Sequence, residues 1–546
     1  MILSAYGLGL WGWTAQADEL GLTPTDVILR ALGSMVVASA YETGPNAIAD
    51  WRLDSARLLG AAAFVLAASQ AIARLLSRNL NLWAGRFRRG HLLIVGDHPV
   101  ARGLAETASA RAHPATWITA SEAATSPVSG VLTVASPWDR RLVEEHAAQH
   151  ARHVVVAFSD EVRQIAAVRD LRRAAPVVPI TMNFEDPWFG ERMDELENIS
   201  NVRYVSLSDL ALRRLHWQHP PFLIARTLGH ARLHVLLIGF GRAGEAVLDD
   251  LLLSSLTSFQ GTPRVTIVDP DAKAIAISLL QRCPELDRSI AITIIESRIM
   301  ADPRVLPWDE IRAAQVGDPF SLAYVCVGED QRAITVAVSL QALLRREGWA
   351  IGPICTHLLA TGALPERVGA WDGTQPAGLL AFGSTYDFAG AIGLFDTERD
   401  WLPRLVHEAY RQAAPDHAVA NLPWERLPEE LRESNRRQTI HLPAKLASAG
   451  LDPVAWISGS ATLDAQAIRN LAADPAILDS LAALEHARWM AERRLSGWQH
   501  GPVRDNMRRR HPHLVAWDDL PDEARGFDRA IVEATLQALS RLAATA

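Results

Sequence analysis

Short apolar runs alternate with stretches of helical period across the middle of the chain. The β-like runs of the first stretch begin with His91–Val95, followed by 115–120, 130–135, 153–158, 177–182 and 202–207. From about Leu223 the plan repeats, with runs at 234–238, 264–269, 291–297 and 322–328 and a helix from about Asp330 to Glu347. Strands alternating with helices predict a parallel, doubly wound sheet, here twice in tandem. Before this region, Leu58 to Leu76 is apolar with one charge, Arg74, a length close to the ~20 residues of a spanning helix. After about Asp400 the pattern becomes helical throughout, and the last helix is predicted from about Pro521 to Leu542.

The run at 234–238 opens into Gly239-Phe240-Gly241-Arg242-Ala243-Gly244 and then an amphipathic helix. This order presents backbone N–H groups and a positive helix end to a pyrophosphate. Gly239 permits the tight turn, Gly241 lets phosphate approach, and Gly244 lets helix and strand pack closely. The next strand ends in Asp269, where a carboxylate can accept hydrogen bonds from a ribose diol. NAD(H) or another adenine nucleotide is therefore the expected ligand of these seven residues. The equivalent turn of the first unit, Gly96-Asp97-His98-Pro99-Val100-Ala101, keeps only the first glycine. Asp97 would put a carboxylate where pyrophosphate should sit, so loss of dinucleotide binding is expected there. Glu329 and Asp330 read either as a helix cap or as contacts to a nucleotide's sugar, the cap being the simpler reading.

Towards the N-terminus, Met1 to Ala15 is apolar, with Trp11 and Trp13 where an interfacial belt would lie. It reads as the outer end of a first membrane helix and lacks the basic start and cleavage site of a signal peptide. Thr25 to Tyr41 opens with a Thr/Asp cap, is too short to span, and is broken by residues 42–46. Arg78, Arg86, Arg88 and Arg89 follow the longer apolar run and place that end in the cytoplasm. The order helix, short re-entrant helix, loop, helix and then tandem nucleotide folds resembles potassium-channel-like proteins with paired RCK (TrkA-N type) domains. That resemblance covers roughly residues 91 to 390 and implies units that pair, assemble as a ring and respond to ligand. The chain departs from it in having no TVGYG-like run, so potassium selectivity does not carry over. A plain membrane anchor without a pore stands beside the channel reading.

Glu485, Arg488 and Glu492 fall on one face of a helix, with Trp489 and Arg493 alongside. The block containing Glu485, His486 and Trp489, then Gly497, Trp498 and 501–506, then His511, Pro512, Leu514, Val515, Leu520 and Pro521, resembles the RyR domain, the repeat of ryanodine receptors. His500 and Trp517 depart from the tyrosine or phenylalanine more usual there. The resemblance implies a small helical, ligand- or partner-sensing module with no catalytic role. Physically, Trp489, Trp498 and Trp517 form either the core of a small domain or an aromatic box. Arg493, Arg504, Asp505 and Asn506 would rim that box for a nucleotide-like ligand. Upstream, Arg432, Arg436 and Arg437 offer either a solvated face or an anion site.

A chain of 546 residues needs several cores. The reading is a membrane or pore-like segment at 1–90, a degenerate Rossmann-like unit at 91–222, a Rossmann unit at 223–398, a helical connector at 399–475 and an RyR domain at 476–546. A net charge of −8 argues against a general nucleic-acid binder, and the three cysteines have neither zinc-ligand nor paired spacing. His230, His234 and His357 show no acid–base partner pattern, and His234 reads as a surface or edge residue. No Walker loop, HExxH or nucleophile elbow occurs, and no metal or catalytic residue is assigned. The expected function is a ligand-regulated, channel-like protein of the inner (cell) membrane with cytoplasmic C-terminal domains, a homo-oligomer (dimer or tetramer) that conducts a monovalent cation. A nucleotide signal in defence would open it. A pore-free sensor is the first alternative and an NAD-dependent enzyme the second.

Overall fold

The computed structural model describes residues 2–33, 50–85, 88–120, 128–136, 138–139, 141–142, 148–184, 202–297, 305–359, 376–383, 400–413, 421–460 and 462–545. The chain divides into two compact units, Met1–Phe87 and Arg88–Ala546.

The first unit holds α1 (Ile2–Ala15), α2 (Pro24–Gly33) and α3 (Trp51–Gly85). Small residues let these helices close up: Gly9 lies against Ala31, and a Cβ on Gly12 would meet the Leu53 side chain at 2.5 Å. Trp13 is buried with Val27, Ala31 and Leu53. The cap of α2 is Thr23, two residues earlier than the expected Thr25, and it exchanges bonds with Asp26 (Thr23 N–H to Oδ2 at 2.9 Å, Asp26 N–H to Oγ1 at 3.3 Å). Leu58, Phe64, Val65 and Ile72 are exposed along α3. Among the described residues, one helix, Trp51–Ile72, is long and apolar enough to cross a membrane. The expected break at 42–46, the second half of the short helix and Arg86 lie outside the described residues, as does the Arg78 side chain. Arg88 is held by the protein: its Nη1 donates to the Ala115 carbonyl at 2.5 Å.

In the second unit, β1 (Leu92–Val95), α4 (Pro99–Ala110), β2 (Ala115–Thr119), β3 (Val131–Ala135), β4 (His153–Val156), α5 (Glu161–Ala174), β5 (Ile180–Asn183) and β6 (Val202–Val205) build the first sheet. Then α6 (Leu207–Gln218) leads to β7 (Arg232–Ile238), α7 (Arg242–Ser254), β8 (Gly261–Asp269), α8 (Ala272–Arg282), β9 (Ala291–Glu296), β10 (Leu322–Val325), α9 (Asp330–Glu347), β11 (Ile354–His357) and β12 (Leu379–Phe382). The orders are β3-β2-β1-β4-β5-β6 and β12-β11-β10-β7-β8-β9, all parallel, so both sheets are Rossmann-like and reverse direction beside their first strand. Each unit therefore has a crevice at the carboxyl ends of its central strands. The pairs β1/β4 and β7/β10 define those switch points.

His234 is fully buried, contrary to the surface or edge position expected of it. Its Nδ1 meets the Asp318 carbonyl (2.7 Å), its Nε2 the Thr266 hydroxyl (2.9 Å), and its ring packs on Phe320. A β-like run that begins with histidine reads as an edge, but here strands on both sides cover it.

The helical remainder comprises α10 (Trp401–Ala413), α11 (Glu429–Ile440), α12 (Leu442–Ser448), α13 (Ala465–Ala473), α14 (Pro475–Leu495) and α15 (Asp522–Thr545). Leu402, Leu446, Ile468, Leu481, Val532 and Leu539 share one core, so connector and C-terminal module are built around the same interior. Ala491 of α14 enters the core of the second Rossmann-like sheet, and Cys283 Sγ donates to the Leu495 carbonyl at 3.1 Å.

Cys283, Cys326 and Cys355 are all buried, and burial pushes each thiol up, Cys283 to about 12. A disulfide-exchange reagent at pH 8 will therefore titrate none of the three thiols in the native chain and all three after denaturation. Rapid labelling of the native chain would contradict this packing.

Candidate functional site

In the glycine turn of the second unit, Gly239 and Gly244 make the close approaches within the fold that their spacing implied. Gly239 has φ +86°, and a Cβ there would stand 2.6 Å from the Cys326 carbonyl oxygen. A Cβ on Gly244 would meet the Gly239 carbonyl oxygen at 2.5 Å, so α7 packs directly on the turn. At Gly241 a Cβ would meet nothing within 4 Å, which leaves the approach to the helix end open. Gly241 precedes α7 without a side-chain cap. The first backbone bond of the helix runs from Glu245 N–H to Gly241 (3.0 Å), so the amides of Arg242, Ala243 and Gly244 precede it. Phe240 and Ala243 are buried and Arg242 is exposed, so the first two offer backbone only. Asp269 Oδ2 accepts the Phe240 N–H at 2.8 Å and Oδ1 the Asp271 N–H at 2.9 Å, which places the acid beside the turn. Glu245, in the first turn of α7, is neutralised by Arg282 at 2.7 Å.

The first unit's turn is closed by its own side chains. Asp97 Oδ1 accepts the Ser159 N–H at 3.0 Å, across the crevice. His98 caps α4 by accepting the Val100 N–H, and Pro99 contributes no donor. At Glu329 the expected cap bond is absent: the side chain makes none, and Asp330 instead accepts the Leu359 N–H at 2.9 Å.

A second site lies where the first sheet meets the C-terminal helices. A cleft of about 1140 Å³ is lined from β6 and α6, from α11, and from α14 and the loop after it. Trp489, Arg493, Trp498, Arg504 and Asn506 all line it. The Arg493 guanidinium lies 5.9 Å from the Trp489 ring and 5.5 Å from Trp498, and His511 meets Trp489 edge-on at 5.1 Å. Arg504 Nε donates to Asn506 Oδ1 at 3.0 Å.

Two residues expected in the box are elsewhere. Trp517 does not line the cleft; it packs on His486 and beneath Arg529 (5.8 Å), because the short turn 517–519 directs it toward the start of α15. Asp505 serves the loop itself, pairing with Arg510 and accepting the Arg508 N–H at 2.9 Å. The arginine trio of α11 also separates. Arg436 forks onto Asp400 (2.9 Å twice) and Arg432 donates to the Trp424 carbonyl (3.0 Å), leaving Arg437 on the cleft.

Along one wall of the cleft runs a buried ion ladder that residue spacing had only hinted at. Arg488 donates to Glu485 and Glu492 (2.7 Å each), Lys445 meets Glu485 (2.5 Å), and Arg437 meets Glu492 (3.4 Å). Burial opposes ionisation of Glu485, but Arg488 and Lys445 prevail and hold its carboxyl at about 2. Burial likewise lowers His511, to about 4, leaving it neutral at physiological pH.

Asp209, also on the cleft, goes the other way. Burial pushes its carboxyl up to about 6, against the pull of Arg213 and Arg437. A raised carboxyl contributes stability that is complete below the ordinary aspartate value and lost as pH rises through about 6. Asp209→Asn will therefore raise the melting temperature by roughly 2–4 °C at pH 8 and leave it unchanged at pH 3.5. Differential scanning fluorimetry at the two pH values checks it; an equal shift at both would refute the assignment.

These features define a class: two tandem Rossmann-like units, one with an open glycine turn and one closed, joined to a helical module that walls a charged aromatic cleft. Residues 461–545 match the family model of the RyR domain. Among solved structures the chain is similar to the crystal structure of GsuK bound to ADP, at 15% identity over 72% of this chain and 95% of that chain, TM-score 0.38. It is also similar to the GsuK channel bound to NAD, at 13% identity over 72% and 81%, TM-score 0.39. For the GsuK RCK domain the values are 16% identity over 58% and 79%, TM-score 0.37.

Proposed function

We propose that the chain is a ligand-regulated, channel-like membrane protein in which the glycine turn and the RyR cleft hold regulatory ligands. The carrying observation is the contrast between the two turns. The Gly239 turn keeps free approach at Gly241 with Asp269 beside it, whereas the Gly96 turn is plugged by Asp97. NAD(H) or another adenine nucleotide fits the open turn: amides and helix end toward the pyrophosphate, the carboxylate toward a ribose diol. Binding rather than chemistry is the reading, and two buried histidines committed to the fold support it. His216 bridges Asp250 and Tyr324 at 2.5 Å each, fully buried, and both nitrogens of His234 are bonded.

The exposed apolar side of α3 faces lipid of the inner membrane in this reading, the C-terminal domains are cytoplasmic, and copies assemble as a dimer or tetramer around a monovalent-cation path. A ligand shifts the open–closed balance only by binding the two arrangements unequally. A defence effector opened by a nucleotide signal is the specific version. One observation favours a second reading, a pore-free anchored sensor: a single described helix meets the length and apolarity of a span.

Calorimetric titration of the detergent-solubilised full chain with NAD and ADP, followed by chromatography of the nucleotide, tests the regulatory role. Saturable binding with the nucleotide recovered intact is expected. Consumption of the nucleotide would return the enzyme reading.

A further inference from the structure

The cleft is walled by more than the RyR module. β6 contributes Arg203 and Tyr204, α6 contributes Arg213, and α11 contributes Arg437 to the same space that Trp489, Arg493 and Trp498 line. Its volume, about 1140 Å³, lies above the usual ~300–1,000 Å³ of small-molecule pockets. The chain carries a net charge of −8, yet seven arginines and five carboxylates line the cleft. Three of those carboxylates, Glu433, Glu485 and Glu492, are held by arginine or lysine partners at 2.5 to 3.4 Å. Arg493 and Arg504 pair with no carboxylate among the described residues; one meets two indole rings and the other Asn506. The positive excess thus sits beside the aromatic faces. Guanidinium forks beside indole faces suit phosphates attached to flat heterocycles.

We propose that the cleft takes a ligand of dinucleotide size, two nucleosides joined through phosphate, that touches the RyR module and the first Rossmann-like unit at once. This rests on reading the RyR cleft as a nucleotide site and names the ligand class and its second wall. Trp489 and Trp498 supply the base-stacking surface and Arg493 and Arg504 the nearest phosphate donors. Arg203 and Tyr204 meet the far half. The degenerate unit, closed at its own glycine turn, thereby contributes to ligand binding through the end of its sheet instead.

The test uses the full-length chain carrying Gly241→Val, so that the glycine turn does not contribute to the signal. AMP, the linear dinucleotide pApA and cyclic di-AMP are titrated by calorimetry. At least one dinucleotide is expected to bind ten-fold or more tighter than AMP. Arg493→Ala and Arg203→Gln should each weaken it about ten-fold, with Tyr204→Ala as the second first-unit variant should Arg203→Gln lower the melting temperature. If AMP binds as tightly as the dinucleotides, and Arg493→Ala matters while both first-unit variants are silent, the ligand is confined to the RyR module; the two-walled proposal then fails and the nucleotide reading survives. If no probe binds, both fail.

Discussion

Arg488→Met will cost the C-terminal helices about 3–5 kcal/mol, the expected loss when one partner of a buried ion cluster is removed. Arg488 is buried and donates to Glu485 through Nε and Nη2 and to Glu492 through Nη1. Without it, Lys445 faces Glu485 and Arg437 faces Glu492, each carboxylate deprived of its closest fork. The substitution is close in volume, so the loss reports charge rather than a cavity. Arg488→Lys will recover only part of it, because a single ammonium nitrogen replaces three guanidinium nitrogens held at fixed planar spacing. Urea melts at pH 7 read the effect, and a loss below about 1 kcal/mol would show that the cluster is not a stability element. The pH dependence has a definite sign. Glu485 is held at about 2, below the ordinary glutamate value, so its contribution is complete above that ordinary value and is lost as pH falls toward about 2. The difference between wild type and Arg488→Met will therefore narrow in acid.

The two glycines of the turn should fail in opposite ways. Gly239→Val places a β-branched residue at φ +86° with its Cβ 2.6 Å from the Cys326 carbonyl oxygen. Left-handed backbone strain of about 1–2 kcal/mol and overpacking of about 1–3 kcal/mol predict a destabilisation of roughly 2–5 kcal/mol. Gly241→Val meets open space, and its backbone is extended at φ −78°, so stability should change by less than about 1 kcal/mol. Nucleotide affinity at the turn should nonetheless fall about 100-fold, because the new side chain stands where phosphate must approach the amides. Thermal melts with NAD titrations separate the two effects. If Gly241→Val binds NAD as the wild type does, the turn is not the nucleotide site.

Much of the fold was legible because its constraints are local. The spacing of Gly239, Gly241 and Gly244 encodes three separate close approaches, and the structure shows two of them filled and one open. Apolar runs marked ten strands, but β11 and β12 went unnoticed: the first mixes Thr356 and His357 into a four-residue run, and the second is four residues between glycines. The cleft was only half legible. Arg493 follows Trp489 by one helical turn, so periodicity groups them, and the reversal at Gly497 (φ +76°) brings Trp498 back to the same guanidinium. Spacing could not tell that Trp517 belongs to the other side of His486, or that Asp505 would be spent on its own loop. Arg203, Tyr204 and Arg213 were invisible as site residues, since they join the cleft from elements far away in sequence.

Cation flux through proteoliposomes containing the full chain tests whether ligand occupancy controls ion passage. Flux would be measured without ligand and with NAD, NADH, ATP or cyclic nucleotides. At least one of these is expected to change the flux several-fold, and Gly241→Val or Arg493→Ala to abolish the response. Ligand binding with no flux under any condition would contradict the channel reading and leave the anchored sensor in its place.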